Sequence, residues 1–176
     1  KQPLISAVNH SPLTFGGAGL IPADQTWDKP YSPLFKYSWS KVYPTLLDVA
    51  KVNEINPFDG FLMQYSNPLT GGHVMQTMGA AMQLLPAGFK GKAHKHTGSF
   101  VYQCAKGSGY TIINGQRFDW KERDIFCVPS WAWHEHHNAS DSEDACLFNF
   151  NDLPVIEGLG LFQGREYTEN NGHQKV

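Results

Sequence analysis

The chain has 176 residues, of which 41% are hydrophobic and 17% charged, and its formal net charge is −2 at pH 7. A chain of this length can bury an ordinary hydrophobic core within one domain. It contains no block of basic residues, so we expect neither nucleic acid nor an anionic membrane surface as a partner. No apolar run reaches the roughly 20 residues of a membrane-spanning helix, and we expect no secretion signal.

The cysteines indicate the cellular compartment. Cys104, Cys127 and Cys146 are odd in number and do not stand at metal-binding spacings. This pattern favours buried, reduced thiols in a cytoplasmic protein. The run Asn138-Ala139-Ser140 matches a glycosylation site, but without a secretion signal it reads as a chance match.

The first predicted element is an extended arm. Residues 1 to about 37 are rich in Pro, Gly and Ser, which suits an arm better than a packed layer. Its aromatic and apolar side chains, such as Phe35 and Trp39, should dock on the chain's own barrel or on a neighbouring subunit. Because a barrel edge can also pair with another copy, we expect a homo-oligomer.

A helix follows the arm. Apolar residues recur there at helical spacing, at Val42, Leu46, Val49 and Ala50. The pattern predicts a helix that Ser40 caps and that runs through about Asn53. Residues 1–60 are therefore assigned to an arm and a helix.

From Thr77 onward the pattern changes to short strands separated by turn residues. Asn114-Gly115 predicts a hairpin with a type I′ turn, because that turn needs a positive φ at both central residues. Evenly spaced short strands predict an all-β antiparallel sandwich or barrel, which we assign to residues 61–165. A short helix is expected after Pro154, and residues 166–176 are expected to form a flexible tail.

Two histidines share one strand in "GKAHKHTGSF". Side chains alternate along a strand, so His94 and His96 point the same way and their imidazoles can converge on one ion. A pattern this short is equally compatible with a polar stripe that faces solvent.

A third ligand can come from the run "WAWHEHHN". There His134 and His136 share one strand face, while Glu135 and His137 share the opposite face. Together with the first pair, one of these histidines would complete a tetrahedral or octahedral metal site with open positions.

The spacing of these residues resembles the two cupin motifs over about residues 75 to 150. The first motif is matched by Gly88, His94, His96 and Gly107, and the second by Asp124, Pro129, His134 and Asn138. The resemblance implies a cupin jelly-roll barrel in which three of them bind a metal in its mouth: His94, His96 and His134. Cupins usually carry a glutamate ligand shortly after the second histidine. This carboxylate is missing here, since Phe100 and Val101 stand at the positions where it would be expected.

Several segments also resemble the second half of gentisate 1,2-dioxygenase and its relatives that act on salicylate and hydroxynaphthoate. These segments lie between Ser32 and Phe162 and include "SPLFKYSW", "NPLTGG", "MQLLPAGF", "DIFCVPSW" and "LFNFNDLPVIEGLGLF". Such enzymes carry two cupin domains in one chain. The resemblance therefore implies an N-terminal cupin half upstream, which fits a sequence that begins with Lys1. It also implies that residues 1–60 correspond to the linker segment between the two cupin halves.

The resemblance implies an Fe(II)-dependent dioxygenase. Its substrates would be O2 and a hydroxylated aromatic carboxylate, whose ring opens between the carboxyl-bearing and hydroxyl-bearing carbons. Iron suits imidazole and oxygen ligands, although Zn, Ni, Cu or Mn can occupy such a site. The alternative is a structural or oligomerising cupin half with a vestigial metal site, because this family's working iron is assigned to the first half. A Zn- or Mn-dependent binding or isomerising cupin is a third hypothesis.

Two further residues are candidates for a catalytic role. If the strand parity of His94 and His96 continues, Tyr102 faces the cavity and can donate to a substrate oxygen; the other interpretation is a core aromatic. His136 shares a face with His134 and can act as an acid/base or as a substitute ligand; the other interpretation is a rim histidine in water. The arginine that follows the histidine pair in first-half sites is absent here.

Overall fold

The structure, a computed structural model, describes residues 8–17, 19–24 and 27–176. Within them the chain forms ten strands: β1 (Phe61–Gln64), β2 (Gly79–Leu85), β3 (His94–His96), β4 (Phe100–Lys106), β5 (Ser108–Ile113), β6 (Gln116–Lys121), β7 (Ile125–Val128), β8 (His134–Asn138), β9 (Ala145–Asn151) and β10 (Gly164–Glu166). The helices are α1 (His10–Phe15), α2 (Trp39–Val52), α3 (Leu153–Gly158) and a 3-10 turn (Asn170–Gly172). None of the helices in the described ranges is long and apolar enough to cross a membrane.

The strands form two antiparallel five-stranded sheets. One has the order β1-β2-β9-β4-β7 and the other the order β10-β3-β8-β5-β6. Neighbours in a sheet are often far apart in sequence, as where β2 pairs with β9 and β3 with β8. This arrangement confirms the predicted all-β jelly-roll barrel.

Apolar side chains pack on both faces of the first sheet. One cluster lies between the sheets and includes Leu85 and Leu147, which are both fully buried. The second includes Leu84 and Met82 together with Leu46 of α2. Because side chains alternate along β2, Leu84 and Leu85 point to opposite faces, so α2 covers the outer face of this sheet.

The N-terminal segment differs from the prediction in two respects. The arm contains the six-residue helix α1, whereas an extended arm was expected; residues 1–7 lie outside the described residues. Helix α2 begins at Trp39 with Ser38 as its N-cap residue, two residues before the predicted cap. The earlier start lets Trp39 stack on Tyr43, with ring centroids 5.1 Å apart, which is a favourable i,i+4 contact.

Two local predictions are confirmed. Asn114 and Gly115 have φ values of 48° and 78°, and the flanking residues Ile113 and Gln116 pair across the hairpin, as a type I′ turn requires. The short helix expected after Pro154 is α3, with the proline in its first turn, where its missing N–H costs nothing.

The last residues, expected to form a flexible tail, are anchored on the barrel. Gln174 is 8% exposed; its side-chain amide donates to the Ile112 carbonyl at 3.0 Å and accepts from the Gly115 N–H at 2.9 Å. The Ala93 N–H donates to the Gly172 carbonyl at 2.7 Å. The side chain of Gln174 thus satisfies the hairpin backbone, which the local sequence does not reveal. The domain limits themselves stay predictions.

The three cysteines are free, but only two of them are buried. Cys104 and Cys146 lie in the interior, whereas Cys127 is exposed. Cys127 lies on β7, an edge strand on which Val128 faces the core. Alternation along that strand turns the preceding thiol outward, so the prediction of a buried thiol is wrong for Cys127.

Truncation of the core should destabilise the fold strongly. Leu147 is 0% exposed, so Leu147→Ala should lower the free energy of unfolding by about 2–5 kcal/mol through lost burial and a cavity. Urea unfolding followed by circular dichroism measures the change. The matched control is Leu62→Ala, since Leu62 is a strand leucine that is 49% exposed; equal losses in both variants would contradict the described packing.

Candidate metal centre

Three histidines converge where β3 and β8 pair. His94 lies directly opposite His134 in the strand register, and His96 follows on the same face of β3. Their ring centroids are 4.3 Å apart for His94–His134, 4.9 Å for His96–His134 and 5.5 Å for His94–His96. One ring nitrogen from each lies within 4.8 Å of the others. The structure thus brings together the three residues that the sequence singled out as metal ligands.

Backbone carbonyls fix the tautomers of two of these rings. Nδ1 of His134 lies 2.9 Å from the Ala132 carbonyl, and Nδ1 of His96 lies 3.1 Å from the Thr97 carbonyl. A carbonyl oxygen only accepts, so each Nδ1 carries the hydrogen and each Nε2 keeps its lone pair. Nε2 of His134 is buried and has no hydrogen-bond partner in the described structure. A buried lone pair that faces two other imidazoles fits a metal ligand.

The rings are electrostatically prepared to bind a cation. Burial, followed by the neighbouring His94, holds the pKa of His134 well below its ordinary value. Burial and then His94 also lower the pKa of His96. Both imidazoles are therefore neutral at pH 7, and a metal needs its histidine ligands in this form. Three imidazole ligands suit Fe, Zn, Cu or Ni, so the donor set fits the predicted iron as well as these other ions.

The position where cupins usually carry a carboxylate is apolar. Phe100 is 7% exposed, belongs to the core cluster, and its ring centroid lies 4.7 Å from that of His96. A different carboxylate stands nearby, because Oδ1 of Asp59 lies 3.8 Å from Nε2 of His94. It accepts a hydrogen bond of 2.9 Å from Nε2 of Gln83. Sequence reasoning missed both Asp59 and Gln83.

A sequence signal existed for only one of them. Gln83 is the single polar residue in the strand "GAAMQLL" and is 1% exposed. A lone buried amide in an apolar strand needs a partner, which marks it for attention. Asp59 stands in a turn before β1. It is distant from the histidines in sequence, so no local pattern predicts that it lies next to His94.

Two of the three histidines, His94 and His96, line a cavity of about 460 Å³, which is within the range of about 300–1,000 Å³ that is typical of small-molecule sites. Its wall carries the rings of three phenylalanines, Phe58, Phe100 and Phe162. Phe58 meets His94 edge to face at 5.3 Å, and Phe162 stacks towards His96 at 6.3 Å. An aromatic-walled cavity next to the histidines suits a flat, ring-bearing ligand.

Tyr102 lines this cavity, as the strand parity predicted. It is also part of the core, since it is 2% exposed and its ring stacks on Phe126 at 5.1 Å. Burial, followed by the charge of Asp59, raises its pKa well above the ordinary value. Its hydroxyl therefore stays protonated and can donate a hydrogen bond.

His136 lies behind Tyr102 and does not border the cavity in the described structure. It is 0% exposed, so it is not a rim histidine in water. Its Nδ1 lies 2.8 Å from the Thr111 hydroxyl, and its ring centroid lies 4.7 Å from that of Tyr102. Burial, followed by the neighbouring His94, lowers its pKa to about 3. The ring is thus neutral at pH 7 and supports the tyrosine.

Comparison with known proteins agrees with this geometry. Residues 81–150 match the family model described as "Cupin domain". The chain carries a cupin domain. This cupin is 37% identical over 145 residues to 5-aminosalicylate 1,2-dioxygenase of Comamonas sp., a match that covers 82% of this chain and 38% of the relative. It is 35% identical over 159 residues to gentisate 1,2-dioxygenase 1 of Aquipseudomonas alcaligenes, covering 90% and 45%.

A solved structure supports the same relationship. Salicylate 1,2-dioxygenase of Pseudoaminobacter salicylatoxidans, with gentisate, superposes on this cupin with a TM-score of 0.81 and 26% sequence identity. The match covers 89% of this chain and 43% of that one. The resemblance to the gentisate-type dioxygenases is therefore confirmed. The chain spans less than half the length of these relatives.

Acid should destabilise the metal-free protein. His136 has a folded-state pKa of about 3 and an unfolded pKa of about 6.5, so below pH 6.5 the unfolded chain binds the extra proton. Its contribution to stability is complete above pH 6.5 and declines as the pH falls towards 3, by roughly 2 kcal/mol between pH 6.5 and 5. Urea unfolding after EDTA treatment at several pH values measures this loss. A flat profile, or one that His136→Asn leaves unchanged, would contradict the burial of a neutral His136.

Proposed function

We propose that this cupin is part of an Fe(II)-dependent ring-cleaving dioxygenase of the gentisate and salicylate type. It would use O2 to open a 2-hydroxybenzoate between its carboxyl-bearing and hydroxyl-bearing carbons. One observation carries the proposal: three histidine imidazoles converge, and two of them, His94 and His96, line an aromatic-walled cavity of about 460 Å³. The dioxygenases similar to this chain support the reaction class.

His94, His96 and His134 would hold the iron. Iron(II), when bound, would supply coordination positions for oxygen ligands and a route for electrons between the aromatic substrate and O2. The chain's part is to keep His134 and His96 neutral by burial and to aim their lone pairs inward. The Ala132 and Thr97 carbonyls aim these two rings by fixing the protons on Nδ1 of His134 and His96.

The cavity wall would orient the substrate. Phe58, Phe100 and Phe162 provide flat apolar surfaces for its ring and exclude water from it. Tyr102 would donate its hydroxyl hydrogen to a carboxylate or phenolate oxygen of the substrate, since its raised pKa keeps that hydrogen in place. This donor would partly replace the arginine that first-half sites carry.

His136 would act through Tyr102. Its ring lies against that of Tyr102. The Thr111 hydroxyl holds the ring from the other side: it hydrogen-bonds to Nδ1 of His136 and also accepts a hydrogen bond of 3.0 Å from the Trp120 indole N–H. We therefore propose that His136 positions the tyrosine and does not itself move a substrate proton.

We also propose that the arm docks on a second cupin barrel, either an N-terminal half of the same polypeptide or another copy in a homo-oligomer. Side chains of the arm support this proposal, because Leu13, Leu20 and Phe35 are 80%, 74% and 68% exposed. Such exposed apolar groups on neighbouring segments are typical of interaction surfaces.

We further propose a cytoplasmic location, which the free cysteines support.

The histidines should be required for both metal binding and oxygen uptake. Anaerobically iron-loaded protein should bind about one iron in this barrel and consume O2 with gentisate or salicylate. His134→Ala should lower both to background, because it removes a ligand and leaves an incomplete donor set. Elemental analysis and an oxygen electrode measure the two quantities.

The matched control is His10→Ala, since His10 is an exposed residue of α1 and its loss should change neither quantity. Iron that disappears in His134→Ala while oxygen uptake persists would overturn the catalytic assignment of this barrel. It would favour the structural role for this half, with the chemistry in another cupin domain.

Tyr102→Phe tests the substrate-facing hydroxyl. The ring packing is retained, so folding should change little, whereas loss of one hydrogen bond should raise KM by about tenfold. Steady-state oxygen uptake against substrate concentration measures the effect. An unchanged KM and kcat would assign Tyr102 to the core alone.

A further inference from the structure

The outer face of β8 carries a second cluster of potential ligands. Glu135 and His137 point away from the three histidines, yet they are only 1% and 5% exposed. The C-terminal segment covers them and brings in His173, whose side chain is 30% exposed. One oxygen or nitrogen atom from each of the three residues lies within 4.8 Å of the others.

The distances match those between the ligands of a tetrahedral zinc ion. Nε2 of His137 lies 3.1 Å from Oε1 of Glu135, and Nδ1 of His173 lies 3.6 Å from Oε2 of the same carboxylate. Zinc bonds of about 2.0–2.2 Å to nitrogen and oxygen place neighbouring tetrahedral ligands about 3.3 Å apart. An ion can therefore replace the proton that His137 shares with the carboxylate, and His173 stands close enough to join as a further ligand.

The charge balance of the cluster also favours a cation. A carboxylate as deeply buried as Glu135 is costly unless an opposite charge faces it. In the part of the chain that the structure describes, its ion-pair partners are the histidines His137 and His173, with no lysine or arginine. The side chains that face Glu135 are thus imidazoles, which zinc accepts as ligands.

Surrounding residues hold the cluster in place. The Tyr110 ring stacks on His137 with centroids 4.6 Å apart and an interplanar angle of 7°. The backbone N–H of Gln174 donates to Oε2 of Glu135 at 3.2 Å, as outer partners of a metal-bound carboxylate do. The partial exposure of His173 leaves a route for the ion and a place for a water as the fourth ligand.

We propose that Glu135, His137 and His173 bind Zn²⁺ in a structural site that fastens the C-terminal segment to β8. One strand would then serve two metals, with His134 on its inner face and this cluster on its outer face. Two imidazoles and one carboxylate are donors that zinc accepts readily. The proposal does not rest on the proposed ring cleavage.

The test removes the inner site so that bound zinc reports the outer one. His94→Ala protein is dialysed against excess Zn²⁺, freed of unbound metal and subjected to elemental analysis; it should retain about one zinc per chain. His94→Ala/His173→Ala should retain almost none. His173 is chosen because it is partly exposed, so its loss should leave the fold intact. His94→Ala/His10→Ala is the matched control and should keep its zinc.

Thermal unfolding provides a second measurement. Zn²⁺ should raise the Tm of His94→Ala but not that of the double variant lacking His173, because only a bound ion stabilises the folded state. No zinc in His94→Ala, or equal zinc with and without His173, would overturn the proposal. If His94→Ala does not fold, the wild type and His173→Ala are compared instead: a difference of one ion supports the site, and equal metal content overturns it.

Discussion

The pairing of β3 with β8 is the constraint on which the site depends. This ladder sets His94 directly opposite His134, and strand alternation then brings His96 to the same face. Burial keeps His134 and His96 neutral, and two backbone carbonyls direct their lone pairs inward. Hydrophobic packing of the two sheets thus supplies the position of the donors and the protonation state of these two. A register shift of one residue would turn these side chains out of the barrel.

Strand β8 carries buried polar residues on both of its faces. β8 lies inside its sheet, between β3 and β5, and its residues are buried on either side. Buried polar residues are costly without partners, so each face needs its own compensation. On the inner face His134 meets the other imidazoles and His136 meets Thr111. On the outer face Glu135 meets two histidines and the C-terminal backbone.

The residues around the histidines depart from the usual cupin pattern in one respect. The carboxylate expected after the second histidine is replaced by Phe100, which packs into the core and contacts His96. The nearest carboxylate is instead Asp59, held by the buried amide of Gln83. The negative charge near the histidines therefore enters from a different element, outside the ligand set. This arrangement preserves a three-imidazole donor set and still provides a polar group at the cavity wall.

The sequence by itself determined what depends on neighbouring residues: the Asn114-Gly115 turn, the shared face of His94 and His96, and the all-β barrel with its cupin motifs. Strand parity and turn stereochemistry are local, so they can be read from a few consecutive residues. Only the tertiary structure decided that Asp59 and Gln83 meet the histidines, that His136 lies behind Tyr102, and that His173 reaches Glu135. These contacts join residues that are distant in sequence, and no local pattern records which parts of a chain a jelly roll brings together. The exposure of Cys127 also depended on the tertiary structure. Strand alternation turns its thiol away from the core, and β7 lies at the edge of its sheet.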